Sequence, residues 1–382
     1  MKYNFEIMAN RKDMGNTKQV LESNENIVLS GAEMDYSTAP VICDALEKFS
    51  RNGMFGYTAA DDQYYHAIIT WMKKVRSLSI EKEDIVVTHG TIYGLNTAIR
   101  TFSNEGDGII IQHPSFHHYD KDVIKNKRVV VSNRLLEDNG KYSIDFFDLE
   151  EKMKDPNNKL FILCNPHNPT GKVFSKDELL RIASLANNYN VIVYSDEIFG
   201  EISFEDNEVI SYLSIDPIQG IVATSLGKCF NLTGVNHANI FIKNKELREK
   251  YIIQKNREHF GSIDPFFYIS LTSGYSEEGF QWIQAMKQHT WQNYISIKEY
   301  LKQNHPELIL SPLEGGFVIW INFKNWHFTD EELYHHLENN LHIIADPGTV
   351  YNQSQCYRFN IATPYKNIEA FLNGENRNVV NE

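Results

Sequence analysis

The central part of the chain alternates between two textures. Short continuous apolar runs appear at 85–87 (IVV), 109–111 (III), 128–132 (RVVVS), 160–164 (LFILC), 191–195 (VIVYS), 221–225 (IVATS) and 239–242 (NIFI). Longer stretches with apolar residues three and four apart lie between several of them, such as Ile92, Leu95, Ile99 and Phe102, or Leu179, Ile182, Ala183 and Ala186. Runs without polar alternation predict strands buried on both faces, and the intervening periodicity predicts the helices that cover them. The expected fold class is therefore α/β, a mainly parallel, doubly wound sheet.

After about residue 285 the texture changes. A helical stretch carrying Trp291, Tyr294, Ile297, Tyr300 and Leu301 leads to LILSPLEGGFVIWINF, a helix EELYHHLENN, then LHIIADPG and CYRFNIATP. Few strands with antiparallel-looking connections predict a smaller α+β C-terminal domain. The expected organisation is an N-terminal segment, 1–45, packing with the small domain; a large α/β domain, 46–285; and the small domain, 286–382. The tail after residue 374 reads as a frayed terminus.

Composition narrows the function classes. The chain has 382 residues, long enough for two domains, and 50 acidic against 37 basic residues, a formal charge of −13. Such a surface repels phosphate backbones and anionic lipid, so neither nucleic acid nor membrane is an expected partner. The start, MKYNFEIMANRKDMG, lacks the apolar core of a secretory signal, and the expected location is cytoplasmic. Cys43, Cys164, Cys229 and Cys356 are scattered, as expected of reduced thiols. His113, His117, His118, His335 and His336 have no metal-ligand spacing, and no metal site is expected.

Five segments carry candidate chemistry. Asn165-Pro166-His167-Asn168-Pro169-Thr170-Gly171 makes a rigid turn after the strand LFILC, at the carboxyl edge where open α/β sheets bind ligands. Ser195-Asp196-Glu197-Ile198 leaves a carboxylate at the end of a buried strand; Asp196 serves either a buried cationic partner or the N-terminus of a helix. In Ser225-Leu226-Gly227-Lys228, Lys228 follows a buried strand, where desolvation makes an amine a Schiff-base nucleophile. His89-Gly90-Thr91-Ile92 joins a strand to a helix whose first N–H groups can cradle a phosphate. Arg358, inside the apolar run YRFNI, either forms an internal salt bridge or offers its fork to a ligand carboxylate.

In this order the five segments resemble the pyridoxal-phosphate enzymes of fold type I, the aspartate-aminotransferase superfamily, over about residues 27–365. GAEMDYSTAP, FGYTAADDQYY and KCFNLTGVNHANI look like its C–S β-lyase branch of the MalY/PatB type. The resemblance implies that Lys228 carries pyridoxal 5'-phosphate as a Schiff base and acts as the catalytic base. Asp196 would pair with the protonated ring nitrogen, and Asn168 would donate to the phenolic oxygen. Gly90, Thr91 and Ser225 would hold the phosphate, Phe116 would stack on the ring, and Arg358 would grip the substrate's α-carboxylate. Tyr57 would reach the phosphate from the other subunit of a homodimer. The implied reaction is cleavage of L-cystathionine or other S-substituted L-cysteines to thiol, pyruvate and ammonia; the alternative is transamination on the same fold. A regulatory protein without chemistry is disfavoured by the charge of −13 and by the lack of a visible helix-turn-helix extension.

Two residues depart from the superfamily. Phe199 stands where it often has a Tyr, and the lyase branch a His, able to bond the phenolic oxygen. Asn236 stands where many transaminases have a phosphate-binding Arg; the lyase branch lacks that Arg too. Glu33 lies where the branch often has an Asp near the substrate, and reads equally as a solvated or structural acid.

Overall fold

The structure, a computed structural model, describes residues 3–21, 26–258 and 263–376. Of the tail GENRNVVNE expected to fray, the part up to Asn376 continues the helix Tyr365–Asn376, and the part from 377 onward lies outside the described residues.

All seven apolar runs are strands of one sheet: β1 (Ile85–Thr88), β2 (Gly108–His113), β3 (Val129–Arg134), β4 (Asn158–Cys164), β5 (Ile192–Asp196), β6 (Gly220–Thr224) and β7 (Ala238–Phe241). Their order is β1-β7-β6-β5-β4-β2-β3. Every pair from β6 to β3 is parallel, while β7 runs antiparallel to both neighbours. Alternate residues of single strands enter two separate cores. Ile109 and Ile111 face one, with Leu95, Ala98 and Ile99 of helix α1 (Thr91–Phe102). Ile110 faces the other, with Phe161, Val193 and Val222. The continuous runs are thus explained for six of the strands: apart from the half-buried Lys159, every position of β1, β2, β4, β5, β6 and β7 is buried, so alternation with solvent-facing polar residues is absent. At the edge, β3 exposes Val129.

A second sheet, antiparallel, consists of β8 (Ile309–Leu310), β9 (Val318–Asn322), β10 (Asp346–Pro347) and β11 (Cys356–Asn360), ordered β8-β9-β11-β10. The early chain docks here. Ile27–Val28 pairs in parallel with Ile343–Ile344, the Asn360 N–H donates to the Leu29 carbonyl at 2.6 Å, and the Asp35 N–H to that of Ala362 at 2.9 Å. Residue 285, the expected boundary, lies inside the 28-residue helix Glu277–Asn304, which passes through it without a break. Its buried Trp282, Ile283, Met286, Tyr294, Ile297 and Leu301 form a core stripe. The segment EELYHHLENN is α-helical over Asp330–Tyr334 and widens to a π-helix over His335–Asn340.

Candidate active site

The carboxyl ends of β1, β4, β5 and β6 converge on a cavity of about 430 Å³. After β1 the chain turns at Gly90, whose φ of +94° strains any residue with a side chain. A Cβ there would meet only open space, so the backbone angle, not crowding, calls for glycine. Helix geometry leaves the N–H groups of Thr91 and Ile92 without an intrahelical acceptor beside the positive end of the dipole, which suits an anion. The Tyr194 hydroxyl braces this end by donating to the Thr91 carbonyl at 2.9 Å.

After β4 the Asn165–Gly171 turn ties itself together. The His167 N–H donates to the Lys172 carbonyl at 2.7 Å, the Gly171 N–H to that of His167 at 2.8 Å, and the His167 ring meets the Thr170 hydroxyl at 2.8 Å. Asn168 is thereby held against the cavity, where Arg358 Nη1 donates to its Oδ1 at 2.9 Å. A guanidinium has only donors, so the amide oxygen must face Arg358 and the NH₂ is left for a ligand.

At the end of β5, Asp196 accepts from the Tyr119 hydroxyl at 2.9 Å and from the Ile198 N–H at 3.2 Å. A turn follows rather than a helix, so the helix-cap alternative for Asp196 does not apply. Burial pushes its carboxyl up to about 6, against the pull of Tyr119, Ile198 and Lys228. A buried carboxylate is stabilised by a cationic partner placed against it.

After β6, Ser225 opens the short helix Leu226–Cys229. Its hydroxyl accepts from the Gly227 N–H at 3.2 Å and donates to the His237 carbonyl at 2.8 Å. Ser225 lines the cavity, but its hydrogen is already committed, so binding a phosphate with it requires the hydroxyl to turn. Lys228 points across the cavity, its Nζ donating to the Ala32 carbonyl at 2.6 Å. Burial, aided by the Arg358 charge and opposed by Asp196 and Glu33, lowers its amine to about 8. A larger fraction of it is therefore neutral and nucleophilic near neutral pH than in an ordinary lysine.

Arg358, with only 4% of its side chain exposed, resolves its two alternatives into one geometry. It does form an internal salt bridge: Nε and Nη2 donate to Asp346 Oδ2 at 3.1 and 2.6 Å. With the bond to Asn168, three of its five donors are committed. Two remain, as many as a carboxylate has oxygens.

Gly90, Thr91, Phe116, Asn168, Asp196, Ser225, Lys228 and Arg358 all line this one cavity. Tyr57 does not. It is fully exposed and borders a separate groove with Thr58, Tyr65 and Ile252. Phe199 and Asn236 line the cavity, and the Phe199 ring centre lies 6.0 Å from Lys228 Nζ. Glu33 is outside the lining and accepts from Asn16 at 2.8 Å and Arg11 at 3.4 Å, which favours its structural reading. His117 reaches the cavity, and burial lowers it to about 4, so it is neutral. His113 bonds Ser132 and Asp120, and His336 packs on Trp326 and Phe328. Among the described residues no group of three or more His, Cys, Asp or Glu is placed to hold a metal ion, and no helix is long and apolar enough to cross a membrane.

Sequence reasoning missed Tyr119, Asp346, Tyr351 and His237, all in the cavity wall. Tyr119 stands three residues after Phe116, in the first turn of the helix His118–Lys125, and that nearness to Phe116 is the one signal that could have found it.

Residues 21–374 match the family described as aminotransferase class I and II. The chain belongs to that family. Within it, the chain is 30% identical over 323 residues to cystathionine beta-lyase PatB of Bacillus subtilis (strain 168), covering 84% of this chain and 83% of that one. It is also 25% identical over 333 residues, 86% of this chain and 84% of the other, to an aspartate aminotransferase of Pyrococcus horikoshii. Cystalysin from Treponema denticola, whose crystal structure contains pyridoxal 5'-phosphate, superposes with a TM-score of 0.94 at 29% identity over the whole of both chains. The PLP-bound C–S lyase from Staphylococcus hominis gives 0.90 at 27% identity over 97% of each.

The family's cofactor is pyridoxal phosphate, and the fold is type I. The cavity fits that group. An anion cradle with room above Gly90, an amine lowered to about 8 and a carboxyl that burial raises to about 6 answer its phosphate, aldehyde and ring nitrogen.

Proposed function

We propose that the protein is a cytoplasmic C–S β-lyase that cleaves S-substituted L-cysteines to thiol, pyruvate and ammonia. One observation carries the choice of substrate. Among the described residues lining the cavity, Lys228 and Arg358 are the only lysine or arginine, and the wall around them is largely apolar, with Phe116, Phe199, Leu232, Val235 and Val350. One grip for an α-carboxylate beside an apolar wall suits a thioether side chain. Among the described lining residues, a dicarboxylic amino acid finds no further cation for its second carboxylate. The likeness to PatB and to the Staphylococcus hominis C–S lyase, and Asn236 in place of an arginine, support the same reading.

When bound, pyridoxal phosphate supplies an electron sink for charge developing at the substrate's Cα. Lys228 would hold it covalently, and its Nζ, when free, would take the substrate's Cα proton. Asp196 keeps a proton on the ring nitrogen; the Tyr119 bond holds the carboxylate in place. Asn168 donates through Nδ2, its orientation set by Arg358. Arg358 binds the α-carboxylate with its two remaining donors, fixing which Cα bond faces Lys228. The Cβ–S bond would break, the sulfur leaving as thiol with the proton that Lys228 took from Cα, and one water would replace the nitrogen on the remaining three carbons, giving pyruvate and ammonia.

The functional unit in this reading is a homodimer in which Tyr57 reaches the phosphate of the other subunit. Support comes from its full exposure, its distance from this chain's own site, and the exposed Met54, Phe55 and Phe266 nearby, of which the two phenylalanines stack at 5.7 Å. The test of substrate class is a comparison of S-ethyl-L-cysteine with L-aspartate plus a keto acid. Higher kcat/KM on the thioether is expected; higher kcat/KM on aspartate would favour the aminotransferase reading.

A further inference from the structure

Asp346 lies directly across the β10–β11 ladder from Arg358. One of its oxygens, Oδ2, accepts three hydrogen bonds: from Arg358 Nε at 3.1 Å, from Arg358 Nη2 at 2.6 Å and from the Gly31 N–H at 2.9 Å. Gly31 sits at φ +69°, a conformation that favours glycine, and the next residue, Ala32, receives the Lys228 amine on its carbonyl. The Asp346 side chain is 24% exposed and faces the cavity.

We propose that Asp346 is a positioning residue for the substrate's carboxylate: it holds one edge of the Arg358 guanidinium and the Gly31–Ala32 backbone on a single oxygen. Asn168 holds the other side of the guanidinium at Nη1. Clamped on both sides, the planar group cannot rotate, so its two remaining donors meet an incoming carboxylate already aligned. The same oxygen fixes the loop that receives Lys228, so the grip on the carboxylate and the reach of the lysine share one support. An isolated buried salt bridge would need only the Arg358 bonds; the third bond, to a backbone adjoining the lysine's acceptor, is what assigns the wider role. The inference rests on Arg358 being the carboxylate grip.

The test measures binding to the holoenzyme through the cofactor absorbance, with L-alanine and with ethylamine. The two share an amine, differ by a carboxylate, and neither carries a leaving group, so the result is independent of the lyase assignment. Asp346→Ala should weaken L-alanine about tenfold, the scale of one well-made charged hydrogen bond, and leave ethylamine unchanged. Asp346→Asn retains an acceptor oxygen and should recover most of the loss. Unchanged L-alanine affinity in Asp346→Ala, or equal weakening of both ligands, would overturn the proposal. Should Asp346→Ala not fold, Asp346→Glu decides: it moves the carboxylate by one methylene, and full retention of the preference for L-alanine again overturns it. Arg358→Ala is the control. If it keeps the preference, the carboxylate reading of Arg358 itself fails; if it loses the preference while Asp346→Ala keeps it, only the role of Asp346 fails.

Discussion

Replacing Arg358 by lysine keeps a positive charge and removes the fork. The arginine has five donors, of which Asp346 takes two and Asn168 one, leaving two for a carboxylate. A lysine has three donors on one nitrogen. Satisfying Asp346 and Asn168 leaves one at most, and the orientation of that one is set by those partners. Charged hydrogen bonds contribute about 1.5–3 kcal/mol each, so losing one from the substrate should cost about 2 kcal/mol, or about 30-fold in kcat/KM. The charge that answers Asp346 survives, so fold and cofactor should be retained. The assay is kcat and KM on S-ethyl-L-cysteine, with the cofactor absorbance and a thermal melt recorded on the same preparation. Values of kcat/KM within about twofold of the parent would mean that no substrate oxygen uses the fork. A variant that unfolds or sheds its cofactor would mean that Arg358 serves the architecture alone.

Four further outcomes are expected. In the apoprotein the Lys228 amine, lowered to about 8, becomes neutral as pH rises through that value, so the rate of cofactor uptake should climb across pH 8 and level off above it; a climb continuing toward pH 10 would show an unperturbed lysine. Lys228→Ala should abolish turnover and borohydride-fixable attachment of the cofactor, and peptide mapping that finds the reduced adduct of the parent on another lysine would contradict the assignment. Tyr57→Phe should weaken cofactor retention by about 0.5–1.5 kcal/mol, one hydrogen bond, and activity should fall on dilution to monomers; a fully active monomer would refute the shared site. Phe199 cannot donate to the phenolic oxygen and leaves Asn168 alone to do so, so the Lys228–cofactor imine should stay protonated and yellow through neutral pH, and Phe199→Tyr should lower its pKa in an absorbance titration; an unchanged or raised pKa would place residue 199 away from that oxygen.

Six strands of the large sheet were legible because both their faces are buried, which writes them as unbroken apolar runs; the edge strand β3 is largely exposed and was legible only through its Val129–Val131 run. Burial on both faces also hid the direction of β7: a strand apolar on both faces reads alike in either orientation, so its antiparallel course is set by its connections. The extent of the helix Glu277–Asn304 was also hidden, since its buried stripe passes without interruption through residue 285. In the cavity, residues that end strands or open helices announced themselves through the turn that holds them: Gly90, Asn168, Asp196 and Lys228. Residues that act as partners did not. The hydroxyl of Tyr119 meets a carboxylate 77 positions away, and Asp346 becomes significant only once strand pairing sets it opposite Arg358. The Ser225 hydroxyl illustrates the converse: its position was legible, but not its commitment to the His237 carbonyl.

The central claim is that this cavity eliminates thiol from a cysteine thioether. The direct measurement is the amount of pyruvate released when the holoenzyme is incubated with excess S-ethyl-L-cysteine and no keto acid. The account predicts pyruvate, ammonia and ethanethiol in equal amounts, accumulating over many turnovers while the cofactor keeps its yellow absorbance. At most one equivalent of product per site, with the cofactor converted to its pyridoxamine form and no thiol released, would contradict it.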